Sequence, residues 1–251
     1  MLVFPNNIFA KKIADNLPAE LKNEIKYSPS ALLTKEILKN KKIVGFIPTT
    51  DLINNKDFFV SKKFGISFEG TLCNSYIYFK PGKETIKEID LAGDVSSLEV
   101  IVSKILFKEI YNSNIEVKLV ADFKNINDST YLLVGDKNFE DGLFKKGISF
   151  SEEMVELMFL PFVNYILVSK NENELKKIEE NLLSIVPSIF NSFESDKLNE
   201  NFSDGTKEFI SSNISSLTLK LGEQDIEGII NLLQHPYFHG IIKNMIDVKF
   251  V

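Results

Sequence analysis

Short apolar runs separated by small polar turns recur along this chain, and most of the turns open onto a helical pattern. The clearest instance spans Ile86 to Tyr111. An apolar run from Ile86 to Leu91, interrupted by charges, ends in Ala92-Gly93-Asp94. Beyond it Leu98, Ile101, Val102, Ile105, Leu106 and Ile110 recur at helical spacing. Gly93 loosens the turn, and Asp94 is expected to cap the helix through its side-chain oxygen. Ser96 and Ser97 fall in the first turn, beside N–H groups with no helical partner. A helix start of this kind attracts anions, because free donors and the macrodipole act together.

The same grammar runs through the N-terminal third. Leu2 to Phe4 is a short apolar run, and Pro5-Asn6-Asn7 leads into a helical pattern through Ile8, Phe9, Ile13 and Leu17, stopped by Pro18. Glu24 to Tyr27 reads as a second strand. Ser28-Pro29-Ser30 then starts a helix carrying Leu32, Leu33 and Ile37, where a proline costs little. Ile43 to Ile47 reads as a buried strand, and Pro48-Thr49-Thr50-Asp51 begins a short helix. The pattern returns around Ser149 to Glu153. Strands alternating with helices predict an α/β architecture with largely parallel sheets. Ligands in such folds bind where the carboxyl ends of strands meet helix starts.

Leu72 to Phe79 and Leu160 to Val168 read as longer strands, and their positions predict two crossings between two lobes. Residues 1–78 and 166–251 then form a discontinuous first lobe, and residues 79–165 a second. Val117 to Val120 and Tyr131 to Val134 are shorter strands, the latter running into Gly135-Asp136. From Asn171 onward the pattern is helical: Leu175 to Phe193, Thr206 to about Ser216, and Asp225 to Gln234. Glu194 to Asp204 reads as a polar loop.

Composition narrows the chemistry. The 251 residues are 44% hydrophobic, enough for a large core. The formal net charge of −6 comes with no basic block, which argues against a nucleic-acid partner. All 29 cationic residues are lysines. Without arginine, no bidentate guanidinium clamp is available for an anion. Lysines, hydroxyls, amides and backbone N–H groups must hold it. The single cysteine, Cys73, excludes an internal disulfide and a cysteine metal cage. His235 and His239 have metal-compatible spacing, but Pro236 interrupts the segment and no acidic third ligand is near, so a partly buried helix end is expected and no metal site. The N-terminus lacks a basic-then-apolar signal pattern, and no apolar run approaches membrane-spanning length. A cytoplasmic protein without a membrane partner is the expectation.

Several segments, in order, resemble the chorismate dehydratase family of menaquinone biosynthesis. LVFPNN is similar to the family's opening strand and asparagine turn, onto which Asn6 falls. SPSALLTKEILKNKKIVGFIPTTDL resembles its proline-serine helix and the strand ending in proline. EGTLCNSYIYF resembles a glycine-led strand that brings a serine to the cleft, here Asn74 or Ser75. LLVGD at Leu132 to Asp136, FSEEMVELMFLPFV at Phe150 to Val163 and LKLGEQDIEGI at Leu219 to Ile229 follow in the family's order. One turn departs. Where the family has an aspartate followed by serine, arginine, threonine and serine, this chain reads Asp94-Val95-Ser96-Ser97, and the arginine is gone.

The resemblance implies a type-2 periplasmic-binding-protein-like fold, each lobe a mixed, mostly parallel sheet flanked by helices, with two crossover strands. It implies removal of water from chorismate to give an enolpyruvyl benzoate. That reaction aromatises the ring and requires neither a metal nor an organic cofactor. Asn6 is then expected to orient the substrate or polarise the leaving group. The base is either a substrate carboxylate or a site carboxylate, for which Asp136 is the protein candidate. Asn7, Ser28, Ser30, Thr49, Thr50, Asn74, Ser75, Ser96 and Ser97 are the expected substrate-binding groups for a small anionic metabolite, chorismate or a related carboxylate. Ser28, Ser30, Thr49 and Asp94 are also ordinary cap residues. Asn6 and Asn7 are equally ordinary in turns. The alternative is a non-catalytic small-carboxylate binding protein of the same fold.

Overall fold

The structure, a computed structural model, describes residues 1–82, 85–121, 128–140 and 142–251. Strand β1 (Leu2–Pro5) leads into helix α1 (Ile8–Asp15), and α2 (Ala19–Lys22) begins directly after Pro18. Strand β2 (Ile25–Ser28) precedes a 3-10 turn and α3 (Leu33–Ile37). Strand β3 (Val44–Pro48) runs into the 3-10 helix Thr49–Ile53, and β4 (Phe59–Phe68) follows. Next come β5 (Ser75–Tyr78), β6 (Glu88–Gly93), α4 (Ser97–Glu109), β7 (Glu116–Leu119), β8 (Tyr131–Val134), α5 (Lys137–Glu140), β9 (Ile148–Ser149) and α6 (Phe150–Met158). The chain ends with β10 (Phe162–Ser169), α7 (Glu172–Ser184), α8 (Val186–Asn191), α9 (Asp204–Ser212), β11 (Leu217–Lys220), α10 (Glu223–Phe238) and β12 (Lys249–Phe250).

Among the described residues these strands form two sheets. The first has the order β11-β4-β10-β3-β1-β2, with β12 added to β4; the second has the order β7-β6-β8-β5-β9. Both are mixed: β1 lies parallel to β2 and β3, while β10 runs antiparallel to β3 and β4. In the second sheet β6 is parallel to β7 and β8, and β5 is antiparallel to β8 and β9. The chain passes from the first sheet to the second between Phe68 and Ser75 and returns between Ser149 and Phe162. The sequence-based divisions at 78/79 and 165/166 fall after both passages.

Four features depart from the sequence reading. Strand β4, ten residues long and central to the first sheet, was not expected, because Lys62-Lys63 and Gly65 break its apolar run. The C-terminal region, read as helical, contributes β11 and β12 to β4. Helix α10 continues through Pro236 to Phe238 instead of stopping there. The expected helix Leu175–Phe193 divides into α7 and α8 at Ile185, two residues before Pro187.

The lobes share their apolar interior. The larger core joins Phe4, Phe9, Phe46 and Phe68 of the first lobe to Tyr76, Tyr131, Leu133, Phe139 and Phe144 of the second. Phe9 meets Phe68 at 5.0 Å and Phe139 at 6.3 Å between ring centroids, and Phe144 stacks on Phe209 at 4.1 Å. In the other direction, Leu232 of α10 is buried in the second lobe's core beside Leu98, Val102 and Phe150.

Gly93 closes β6 with φ +88°, and a Cβ there would lie 2.0 Å from the Val134 carbonyl oxygen. Gly240 also has a positive φ, +69°, but nothing lies within 4 Å of its Cβ position. Gly93→Ala is therefore expected to cost roughly 3 kcal/mol or more, strain plus overpacking, and Gly240→Ala only about 1 kcal/mol. Urea unfolding of the two variants checks this; equal losses would contradict it.

Candidate functional site

Because β1, β2 and β3 are parallel, their carboxyl ends lie along one edge of the first sheet. Three polar turns follow them: Asn6-Asn7, Ser28-Pro29-Ser30 and Thr49-Thr50-Asp51. Facing them, the parallel neighbours β6 and β8 each end in Gly-Asp, at Gly93-Asp94 and Gly135-Asp136. Both glycines have positive φ, which lets each strand turn sharply before its aspartate. The Asp94 N–H donates to the Val134 carbonyl (3.0 Å) and the Gly135 N–H to the Asn74 carbonyl (2.8 Å), so the two ends and the first passage between lobes are tied together.

Each first-lobe turn is met by one polar residue of the second lobe. Asp136 accepts from the Ile8 N–H (2.8 Å) at the start of α1 and from Lys11 Nζ (3.1 Å). Asp94 accepts from the Ser30 N–H (2.8 Å) and from Ser30 Oγ (2.7 Å). Ser97 Oγ donates to Asp51 (2.5 Å) and lies 2.7 Å from Thr50 Oγ1. A hydroxyl has one proton. Ser30, having given its proton to Asp94, accepts from the Tyr165 hydroxyl at 2.6 Å. Thr50 likewise donates to Ser97. Asp51 accepts a further bond from Thr34 Oγ1. Burial, together with the Glu99 and Asp94 carboxyls nearby, holds the Tyr165 phenol protonated by raising its pKa well above its usual value.

Asp94 is therefore not the cap of α4, as its position in the sequence implied; its carboxylate is spent across the junction. Ser96 caps α4, accepting from the Leu98 N–H (3.1 Å), and Glu99 completes a capping box through the Ser96 N–H (2.8 Å) and hydroxyl (2.7 Å). Burial pushes the Glu99 carboxyl up from its ordinary value.

Asn7 is the buried member of the asparagine pair; it caps α1 by accepting from the Ala10 N–H (2.9 Å) and lies beside the Tyr165 hydroxyl, whereas Asn6 is exposed. Thr49 is buried and gives its hydroxyl to the Val163 carbonyl (2.6 Å). Ser28 ends β2 and Ser75 starts β5, both buried. The junction thus gathers Asn7, Ser30, Thr50, Ser97 and Asp136, with Thr49 committed to β10 and Ser96 to the cap of α4. Sequence reasoning missed Tyr165, Asn164, Glu99 and Lys11. The polar pair Asn164-Tyr165 inside the apolar run Leu160–Val168 is the signal that marks the first two.

Buried amides at this junction are left unpaired. Asn7, Asn74 and Asn164 are 0%, 1% and 2% exposed. Both side-chain polar atoms of Asn74 and Asn164 Oδ1 have no hydrogen-bond partner, and Asn7 Nδ2 has only the Tyr165 hydroxyl beside it, outside full hydrogen-bond geometry. Asn74 immediately precedes β5, and Asn164 neighbours Tyr165, which pairs with Pro48 at the end of β3. Buried polar atoms are nearly always satisfied, and leaving one unmade costs about 1–3 kcal/mol.

Neither a family model nor a curated protein matches this sequence. Solved structures match it over nearly its full length. The alkanesulfonate-binding protein SsuA from Xanthomonas axonopodis pv. citri, bound to MOPS, is similar at a TM-score of 0.64 and 10% identity, over 100% of this chain and 96% of its own. The periplasmic aliphatic sulphonate binding protein SsuA from Escherichia coli is similar at 0.60 and 11% identity, over 99% and 89%. A protein from Archaeoglobus fulgidus is similar at 0.61 and 12% identity, over 96% and 98%. At these identities the likeness concerns the fold. The chain has a two-lobed, periplasmic-binding-protein-like fold. Among the described residues no helix is long and apolar enough to cross a membrane.

The raised Glu99 pKa sets a pH dependence. The folded protein keeps that proton at pH values where the unfolded chain has lost it, so the stabilisation is complete below the ordinary value of 4.5 and is lost as pH rises through the folded value. Glu99→Gln keeps an acceptor for Ser96 and removes the titration. Its unfolding free energy is expected to decline less than that of the wild type between about pH 5 and pH 8. Parallel declines would contradict the assignment.

Proposed function

We propose that the interlobe junction binds a small carboxylate-bearing metabolite. The observation that carries this reading is the set of buried amide atoms left short of partners, on Asn74 above all and on Asn7 and Asn164 in part. A ligand lodged among them supplies the missing hydrogen bonds. The donor set on Ser30 supports a carboxylate, since its N–H and hydroxyl already hold both oxygens of one. A ligand carboxylate takes that seat when Asp94 withdraws, and the Tyr165 hydroxyl steadies Ser30 from behind. No guanidinium is needed, which suits a chain without arginine.

In its enzymatic form this reading is the dehydration of chorismate by a cytoplasmic carbon–oxygen lyase. The order of family-like segments supports it, and so does the chemistry. Aromatisation supplies the driving force, so neutral donors that orient the ring and stabilise developing charge suffice. Asn7, buried beside Tyr165, takes the orienting role expected of the asparagine turn, since Asn6 is exposed. In its non-catalytic form the protein is a solute-binding protein. The loss of the family's arginine favours that form, and the SsuA neighbours bind sulfonates in the same fold.

Incubation with chorismate, followed through the absorbance of the aromatic product, separates the forms. Turnover supports the lyase; saturable binding without turnover supports the solute-binding protein. Asn7→Asp keeps an oxygen to cap α1 and removes the Nδ2 donor. It is expected to weaken binding about tenfold while leaving the unfolding transition in place. Absence of binding by chorismate and by a panel of small carboxylates would contradict the site itself.

A further inference from the structure

Helix α10 buries one face and leaves the other uncovered. Ile229, Leu232 and Leu233 are buried, whereas Ile230, Tyr237 and Phe238 are each more than a third exposed, Phe238 by 66%. At helical spacing Ile230, Gln234, Tyr237 and Phe238 form a single stripe on the side away from the core. The rings of Tyr237 and Phe238 lie 5.7 Å apart. Gly240, at φ +69°, then turns the chain back, and the Ile241 N–H donates to the Pro236 carbonyl (2.8 Å), so the exposed Ile241 continues the stripe past the helix end. Phe159, 87% exposed on a left-handed backbone, flanks the first half of the helix, since Pro161, two residues on, lies against Gly228. Single exposed apolar side chains are ordinary, but a contiguous set marks a surface that another molecule covers.

Charge divides along this stripe. Glu223 and Glu227 stand on it before Ile230, both exposed. Beyond Phe238 the sign reverses: Lys243 follows in the chain, and Lys104 and Lys108 of α4 line a cavity with His239 and Ile241. Glu109 at that end lies 3.5 Å from His239, and Asp247 still leaves the lysines in excess. Among the described residues Glu223, Glu227, Lys104, Lys108 and Lys243 make no ion pair within the chain. An acidic end, an apolar middle and a basic end make a surface complementary to itself when reversed. We propose that this face of α10 pairs antiparallel with the same face of a second copy of the chain. With the twofold axis at Gln234, Ile230 of one copy meets Phe238 of the other, and Glu223 and Glu227 meet the lysines around Ile241. The antiparallel helix dipoles add to the attraction, whereas a parallel pair sets acid against acid. An anionic membrane fits less well, because the two glutamates share the face. One helix of 16 residues, about 24 Å long, gives a contact at the small end of specific interfaces, below about 1,200 Å², so the dimer is reversible and of micromolar strength. This pairing does not depend on the interlobe ligand.

Sedimentation velocity of the full chain from micromolar to millimolar concentration tests this. The expected result is a monomer–dimer equilibrium weakened about tenfold or more by Phe238→Glu. Glu227→Lys and Lys243→Glu each weaken it too, and the two together recover most of the wild-type affinity. All three positions are exposed, so the unfolding transition is expected to stay in place. Gln234→Cys supplies a separate readout: beside the twofold axis its thiol meets its own counterpart and gives a disulfide-linked dimer on mild oxidation, while Cys73 is buried and does not. A chain that stays monomeric at millimolar concentration would overturn the proposal, as would a dimer indifferent to Phe238→Glu or a double charge reversal that restores nothing. Binding to anionic phospholipid vesicles without self-association would overturn it as well.

Discussion

Two aspartates at the ends of adjacent parallel strands hold the lobes in register. Asp94 and Asp136 each follow a glycine of positive φ, and each crosses to a first-lobe turn with both oxygens engaged. A carboxylate accepting two donors at once makes charge-assisted hydrogen bonds, which are shorter and stronger than neutral ones. The parallel pairing of β6 and β8 fixes the spacing of the two carboxylates, and that of β1 with β2 fixes the spacing of their targets. Everything at the junction depends on this match between strand ends.

The lobes are joined by two kinds of surface. Behind the clasp lies an aromatic seam, with Phe9 against Phe139 and Phe144 against Phe209. Helix α10 adds a strap: Leu232 sits in the second core, and Gly228 lets the helix ride on the second passage, where a Cβ would lie 2.4 Å from the Pro161 carbonyl oxygen. Parting the clasp exposes polar groups that water satisfies, whereas parting the seam exposes rings that water does not. The polar contacts are therefore the cheaper of the two to part.

Much of this was legible in the chain. The strand, polar turn, helix rhythm located the turns after β1, β2 and β3, and Gly135-Asp136 was visible as a strand end. What the sequence hid was long-range. Asp94 has the local signature of a helix cap, and only the facing lobe reveals that Ser30 claims it. Strand β4 lacks a clean period because it is paired on both sides and carries Lys62-Lys63 in its middle. Of Asn6 and Asn7, adjacent and chemically identical, only the path of α1 determines that Asn7 turns inward. Tyr165 sits in an apolar strand where a tyrosine passes as core, and its partner is 135 residues away.

The central claim is that buried amides from both lobes converge on one ligand. Side-chain amide NMR of Asn7, Asn74 and Asn164 during addition of chorismate tests it most directly. The account predicts that all three signals move together along a single saturation curve, with the Ser30 amide following them. Signals that stay fixed while the ligand binds elsewhere, or that respond with unrelated affinities, would contradict it.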